Sequence, residues 1–473
     1  MSDDRKREIV VAPASVLAVA SRLAARTLAA RAARTELVPG GATPTELVPI
    51  RGRTLVVGAD GAGVYPTIGS AVAEARDGDR ILIRPGTYRE SVTIDRSLEI
   101  VGDGDVRAIV VLSDDAPCFV LNGTTGRLAC LTLRAAGPTY PVDWGSVLVS
   151  GGSVVLDGLI LAESQGIWVE EGASLTIRNS LIRDCRGLGI YVRDGASATI
   201  EDNEILGGGA NGIWVSGLGT GPVIRRNKIH NNRDGGIYVA DRETGTIEDN
   251  EVFGNGSVVG EAISVSKTGS ALIIRRNRIY DCGTGSGIRV SDASPTIEEN
   301  EVFGNGGEEP TINAGIMVWS AGSAPVIRRN RVHDWPGDGI AVVLGAAGTI
   351  EANDIFGNRG SGIHVWKAGS APAIRENSIH DGHGFGIWVM DGANGTVEDN
   401  EIFGNEGGGI MLSGRETEPT IRGNRVHDNL SHGICVSVGA GGSIIDNTVV
   451  RNRYKPIMVN PGTSPTLARN VVG

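Results

Sequence analysis

A single asparagine, set in a short charged phrase, recurs along most of the chain and limits what the chain can become. It appears in RNS, EDNEI, RRNKI, EDNEV, RRNRI, EENEV, RRNRV, EANDI, RENSI, EDNEI, RGNRV, IDNTV and ARNVV, at Asn179, Asn203, Asn227, Asn250, Asn277, Asn300, Asn330, Asn353, Asn377, Asn400, Asn424, Asn447 and Asn470. The spacing is 23 or 24 residues except for two steps of 27 and 30. A unit this short cannot bury an apolar face by itself, so the units must stack on one another as a solenoid.

Each period holds a second phrase, G-I-x-V, beginning at Gly166, Gly189, Gly212, Gly236, Gly287, Gly315, Gly339, Gly362 and Gly386, with Ala262 in the same slot. Apolar residues alternate with variable ones, which describes a strand with Ile and Val inward and x outward. Another short strand precedes each Asn, as in Thr199-Ile200 and Thr296-Ile297. Strands this short make poor hairpins but pair well with the next turn of chain. The fold class that follows is all-β, a right-handed parallel β-helix of about 17 coils at a spacing of about 4.8 Å, with a short N-terminal helix. Leucine-rich repeats have a similar length but need a Leu scaffold that is absent here. Composition agrees. Gly supplies 70 of the 473 residues and aromatics only 4%, which marks a turn-dense β protein rather than a helical or dinucleotide-binding enzyme, while 40% apolar content is too high for a disordered chain.

The side-chain amide of Asn both donates and accepts, so Asn residues stacked coil on coil can form a hydrogen-bond ladder. Gly before each Ile is expected to relieve either a positive φ or a close approach of chain. Charges beside the Asn alternate between coils, as in Glu201/Asp202, Arg225/Arg226, Glu248/Asp249 and Arg275/Arg276, and stacking opposite signs makes an ion-pair ladder. Three residues past the Asn, His230, His333, His380 and His427 alternate with Phe253, Phe303, Phe356 and Phe403, with Tyr280 in one His slot. The His-Asp pairs at 333–334, 380–381 and 427–428 repeat along the rod, which marks them as structural, with imidazoles stacked on Phe rings.

A net charge of −11 without any Lys/Arg block in the main body argues against a nucleic-acid partner. No stretch approaches the roughly 20 apolar residues of a membrane span. The five cysteines, Cys118, Cys130, Cys185, Cys282 and Cys435, lack C-x-x-C spacing, which suggests reduced thiols in a cytoplasm, with secretion as the alternative. No metal-ligand spacing and no cofactor motif is present, so neither is expected. Residues 1–35 read as an amphipathic helical arm, with Leu17, Ala20, Ala24 and Leu28 at helical spacing, while Arg22 and Arg26 interrupt the apolar run a signal peptide needs. Residues 36–53, with ELVP twice, read as a linker. The β-helix then occupies 54–473, irregular over 54–160 and regular over 161–473.

The irregular part holds strands at Leu55–Val57, Arg80–Ile83, Leu98–Val101, Ala108–Leu112, Phe119–Leu121 and Val147–Val149. Its phrase PTIGSAVAEARDGDRILIRPGTYRE contains a short helix at Ile68–Ala75, a Gly-Asp turn, an apolar strand and a Pro85-Gly86 turn. With the later repeats it resembles the pectate-lyase-like superfamily of right-handed β-helices, with carbohydrate-binding and sugar-hydrolase type repeats, over residues 54–473. The resemblance implies a polysaccharide groove on the outer face of one sheet. It does not extend to the catalytic motifs of that group. The calcium-binding carboxylates with an Arg base are missing, Gly382-His383-Gly384 matches only one of three polygalacturonase elements, and the Asp-Pro-His-Glu element of alginate epimerases is absent.

Outward positions of G-I-x-V-y give Trp168, Tyr191, Trp214, Tyr238, Arg289, Met317, Trp319, His364, Trp366, Trp388, Met390 and Met411, so five of the seven Trp fall on one stripe. Flat rings at such steps form a platform for pyranose faces or an anchor row for a protein. Glu170, Glu171, Asp194, Asp241, Asp292 and Asp391 lie beside it; of these, Glu170, Asp194, Asp241 and Asp292 are the foremost acid–base candidates. Three functions stand open: a glycan-binding β-helix without catalysis, a protein-interaction scaffold, and a polysaccharide lyase or hydrolase. The chain stops within an Asn strand, so a partner or a further domain is expected at that end.

Overall fold

The structure, a computed structural model, describes residues 52–473 apart from 60, 62, 136–143, 242–243, 257–259, 268–271 and 305–312. The proposed N-terminal arm and nearly all of the linker therefore lie outside the described residues. The fold is an all-β, right-handed parallel solenoid of about 17 turns with one short helix near the start. Three parallel sheets run its length. Sheet one holds the strands before the Asn, from Thr54–Val57 to Thr466–Ala468. Sheet two holds those after it, from Gly86–Arg89 to Val471–Val472, and sheet three the G-I-x-V strands, from Val92–Ile94 to Ile457–Val459. Each strand pairs in register with its counterpart one coil away, as Ile213 does with Ile237 and Ile237 with Ile263.

That register stacks like on like inside. Ile213, Ile237, Ile263 and Ile288 are fully buried on sheet three, as are Ile224, Ile247, Ile274 and Ile297 on sheet one. Each such side chain contributes about 1.5–3 kcal/mol on leaving water. At the start of the rod the helix Ile68–Glu74 packs Ile68, Ala71 and Val72 against the first coils. Its N-terminus is closed by Thr67 and by Glu90, whose carboxylate accepts from the Ile68 and Gly69 N–H groups at 2.8 Å. The final coil leaves Leu467, Val471 and Val472 exposed.

The Asn ladder forms, with one correction to its start. The backbone N–H and Nδ2 of Asn203 both donate to Asn227 Oδ1, at 3.1 and 3.0 Å, and the same double bond repeats coil by coil to Asn470. Asn179 is not a rung. Ser180 takes that slot, donating its N–H to Asn203 Oδ1, while Asn179 holds the left-handed corner just before it at φ 51°. The RNS phrase is thus shifted by one residue against the repeats that follow.

A second ladder turns the next corner, through Asn232, Asn255, Asn358, Asn405, Asn429 and Asn452. Cys282, Trp335 and Gly382 interrupt it, and Trp335 is wholly buried in the core. The Gly of G-I-x-V serves close approach. A Cβ on Gly339 would stand 2.6 Å from the carbonyl oxygen of Gly362, and φ there is not positive.

The charge alternation is also realised. On sheet one, Arg178, Glu201, Arg225, Glu248, Arg275, Glu298, Arg328 and Glu351 face each other in succession. Basic coils reach back to the acidic coil before them, with Arg275 2.7 Å from Glu248 and Arg276 2.8 Å from Asp249. Such surface pairs each contribute little, about 0–1 kcal/mol, but a slipped register would set like charges together.

On sheet two, His230, Phe253, Tyr280, Phe303, His333, Phe356, His380, Phe403 and His427 form one continuous stack, with centroids 4.6 to 5.3 Å apart and planes within 2 to 21°. The imidazoles of His230, His380 and His427 are tied at both nitrogens, and that of His333 at Nδ1. His380 Nδ1 is 2.9 Å from Asp381 and its Nε2 is 3.1 Å from Asp354 of the preceding coil. Asp381 also holds a left-handed corner, φ 52°, and its carboxylate lies over Gly404, where a Cβ would stand 2.3 Å from it. The His-Asp pairs are therefore corner pieces of the rod.

Candidate functional site

The outward aromatic stripe lies on sheet three, and period-two alternation puts it there. Trp168, Tyr191, Trp214, Tyr238, Ser264, Arg289, Met317, Ala341, His364, Trp388 and Met411 occupy one register row. Trp319, Val343, Trp366 and Met390 form a second row two residues further along.

The first section of the stripe does not make the flat platform that its spacing suggested. Trp168 and Tyr191 meet edge to face at 90°, Tyr191 and Trp214 at 75°, and Trp214 and Tyr238 at 63°. An edge-to-face meeting sets the positive rim of one ring on the negative face of the next. Trp168 is buried, with the Arg193 guanidinium 5.1 Å from its ring centre. The Tyr191 and Tyr238 hydroxyls are bonded to Ser216 and Ser266. This section is occupied with itself.

The later section differs. His364 and Trp388 stack at 4.9 Å with planes 5° apart, and Trp366 lies nearly parallel to His364 at 6.1 Å. Trp319 carries the Arg289 guanidinium on its face at 5.1 Å, and Trp366 carries the Lys367 ammonium at 4.5 Å. Carboxylates complete the set. Arg289 is 3.0 Å from Glu261, Lys367 is 3.3 Å from Asp391, and His364 Nδ1 is 2.8 Å from Asp338. The Asp338 carboxylate is itself fixed by the Ser361 N–H at 2.7 Å, and His364 Nε2 has no partner within the protein. The Asp391 carboxyl is held below the usual carboxylate range, first by the Trp366 indole N–H at 3.0 Å and also by Lys367.

The acids expected beside the stripe take structural posts. Glu170 is bound by Arg193 Nε at 2.9 Å. Asp194, Asp241 and Asp292 sit at left-handed corners, φ 54°, 74° and 50°, and each is two coils, about 10 Å, from the next. Asp292 is further tied by the Ser320 hydroxyl at 2.6 Å. His383 of the Gly-His-Gly triplet stands exposed beside Glu406 on another edge.

Glu261 and Asp338 were not among the sequence candidates. Each lies two residues before an inward Ile, where strict alternation would set it inside, so the pattern could not reveal it. A different signal did point here. The repeat breaks between residues 253 and 366, where the two long spacings fall, both between a sheet-two strand and the next sheet-three strand. Ala262, Tyr280, Cys282, Arg289 and Trp335, each replacing the repeat's usual residue, lie in the same stretch. A solenoid that otherwise repeats faithfully departs from its pattern where something other than stacking constrains the residues.

Among the described residues, no three His, Cys, Asp or Glu side chains form a metal-holding group, and no helix is long and apolar enough to cross a membrane. The five cysteines form no disulfide, and burial pushes the thiols of Cys118 up to about 12 and Cys185 up to about 11.

Comparison with known proteins concerns the fold. A periplasmic alginate epimerase, AlgG, is similar at 12% identity over 74% of this chain and 84% of its own, with a TM-score of 0.37. The catalytic domain of a GH87 alpha-1,3-glucanase in complex with tetrasaccharides gives 16% identity over 70% and 68%, with a TM-score of 0.46. XylC in complex with xylose gives 11% over 73% and 85%, with a TM-score of 0.43. No curated protein matches the sequence. The family described as right handed beta helix region matches residues 165–330 and 314–472, together more than half of the chain, and the protein belongs to that family.

Proposed function

We propose that the protein binds a polysaccharide across the outer face of sheet three, between Glu261 and Asp391. The observation that carries this reading is the cluster of Trp319, His364, Trp366 and Trp388, in which ring faces stand beside fixed carboxylates and cations on an outward, half-buried surface. Pyranose rings offer a C–H face for an aromatic ring and hydroxyls at their rim for charged groups. The tilted section from Trp168 to Tyr238 supports the fold instead.

A glycan array read with wild type, a Trp366→Ala/Trp388→Ala variant and a Trp214→Ala variant tests this. The first variant should lose at least about tenfold in affinity, about 1.4 kcal/mol, and the second should keep it. Silence of the wild type across polysaccharides favours the rival, a scaffold that meets a protein along the same face.

A second reading is favoured by one pair. Asp338 orients His364 through Nδ1, and Nε2 is buried without a hydrogen-bond partner, a pairing that could move a proton in a lyase or hydrolase reaction once a ligand reaches that nitrogen. Release of shortened or unsaturated sugars by wild type, lost in His364→Gln, would carry it. The cytoplasm is the proposed compartment, supported by five separate thiols.

A further inference from the structure

Every basic side chain set against a ring of the stripe is already matched by a carboxylate. Arg193 lies on Trp168 and is bound to Glu170, and Arg289 lies on Trp319 and is bound to Glu261. His364 stacks on Trp388 and is bound to Asp338, and Lys367 lies on Trp366 and is bound to Asp391. Within the proposed site, between Glu261 and Asp391, these are the Arg289–Glu261 and Lys367–Asp391 ion pairs and the His364–Asp338 hydrogen bond, while Arg193 and Glu170 belong to the tilted section.

A polyanionic chain such as a polyuronate would have to break the Arg289–Glu261 or the Lys367–Asp391 pair to reach a cation set against a ring. Each pair broken leaves a carboxylate facing the incoming one, in a molecule whose net charge is already −11. An uncharged chain meets no such cost. Its hydroxyls can donate to Glu261, Asp338 and Asp391 and accept from Arg289 and Lys367 while the pairs stay closed, and its ring faces lie on Trp366 and Trp388.

Resting on the glycan-binding reading above, we propose that the ligand of this face is an uncharged polysaccharide and that the Arg289–Glu261 and Lys367–Asp391 ion pairs exclude uronate-bearing chains. Glu261 acts as a specificity residue by occupying Arg289.

The test is affinity electrophoresis of the full chain in gels containing an α-glucan, a β-glucan or a xylan, against polygalacturonate and alginate, at about 20 and about 500 mM sodium chloride. The expected result is retardation by at least one neutral polymer, changing less than about twofold between the two salts, and none by the polyuronates. The near-isosteric Glu261→Gln, which frees Arg289, should gain polyuronate retardation at low salt that vanishes at high salt. Polyuronate retardation of wild type equal to or stronger than that by every neutral polymer, or a Glu261→Gln variant with no gain, overturns the exclusion while leaving glycan binding intact. A wild type retarded by no polymer overturns the glycan reading itself, and this inference with it.

Discussion

Two rows of aromatic rings run up the same rod, and they are built on opposite rules. The row on sheet two is nearly uniform, with imidazole and benzene rings co-facial over nine coils and every corner after the first, Asn231, held by Asp or Gly. The row on sheet three changes residue at almost every coil, tilts its rings in one section and stacks them in another. Regular repetition is what coil-to-coil packing alone selects, because each rung sees the same neighbours. Variation on an outward surface at a conserved register is what an external ligand requires. Stability should therefore reside in the first row and recognition in the second.

The largest effect should come from the interior that both rows share. Asn330→Leu removes bonds to Ile297 O and Asn353 Oδ1 and strands the buried Asn300 N–H, so it should cost about 2–5 kcal/mol, seen as an earlier urea transition and new proteolytic cuts near the lesion. Next, Phe356→Ala opens the sheet-two stack between His333 and His380, at 4.6 and 5.2 Å, and should cost about 2 kcal/mol without changing glycan affinity. Trp388→Ala should do the reverse, costing about 1 kcal/mol in thermal melts and most of the binding. If Phe356→Ala abolished binding while Trp388→Ala left it unchanged, the division between the rows would fall.

Acid should sharpen the same contrast near the end of the stack. The Glu401 carboxyl is held below its ordinary range by His427 first and by Arg425, and Asp428 by Arg451 first and by His427. A carboxylate with a lowered folded value contributes stability above its unfolded range and loses it as pH falls through the folded value. Hydrogen-exchange protection factors at the coils holding these groups, corrected for the intrinsic pH dependence of amide exchange, should hence be lower below about pH 4 than at about pH 5. The smallest effect is assigned to Gly404→Ala, about 1 kcal/mol in a melt, from a left-handed corner under the Asp381 carboxylate.

The period, the three strands and the outward stripe were legible in the sequence because stacking demands the same residue type at the same step. The strands at Arg80 and Ile109 were found within a residue or so for the same reason. What escaped notice lies where the repeat is broken or where partners are one coil apart. Ser180 replaces a rung and leaves Asn179 as a decoy one place early. The second ladder is cut by Cys282, Trp335 and Gly382, so no unbroken phrase announces it. Asp338 and His364 are 26 residues apart and become neighbours only once the coils are stacked, and Trp168 is an outward residue by pattern that the fold nevertheless buries.

The alternation of acidic and basic coils gives the rod a parity. Remove one coil, or duplicate one, and Glu would meet Glu or Arg would meet Arg at the new junction; remove or duplicate two and every opposition is preserved. Growth and shrinkage of such a gene by unequal recombination should therefore survive in even steps. Along the sheet-one row from Arg178 to Arg422 no sign is out of turn, so any two like-charged rungs of that row are an even number of steps apart.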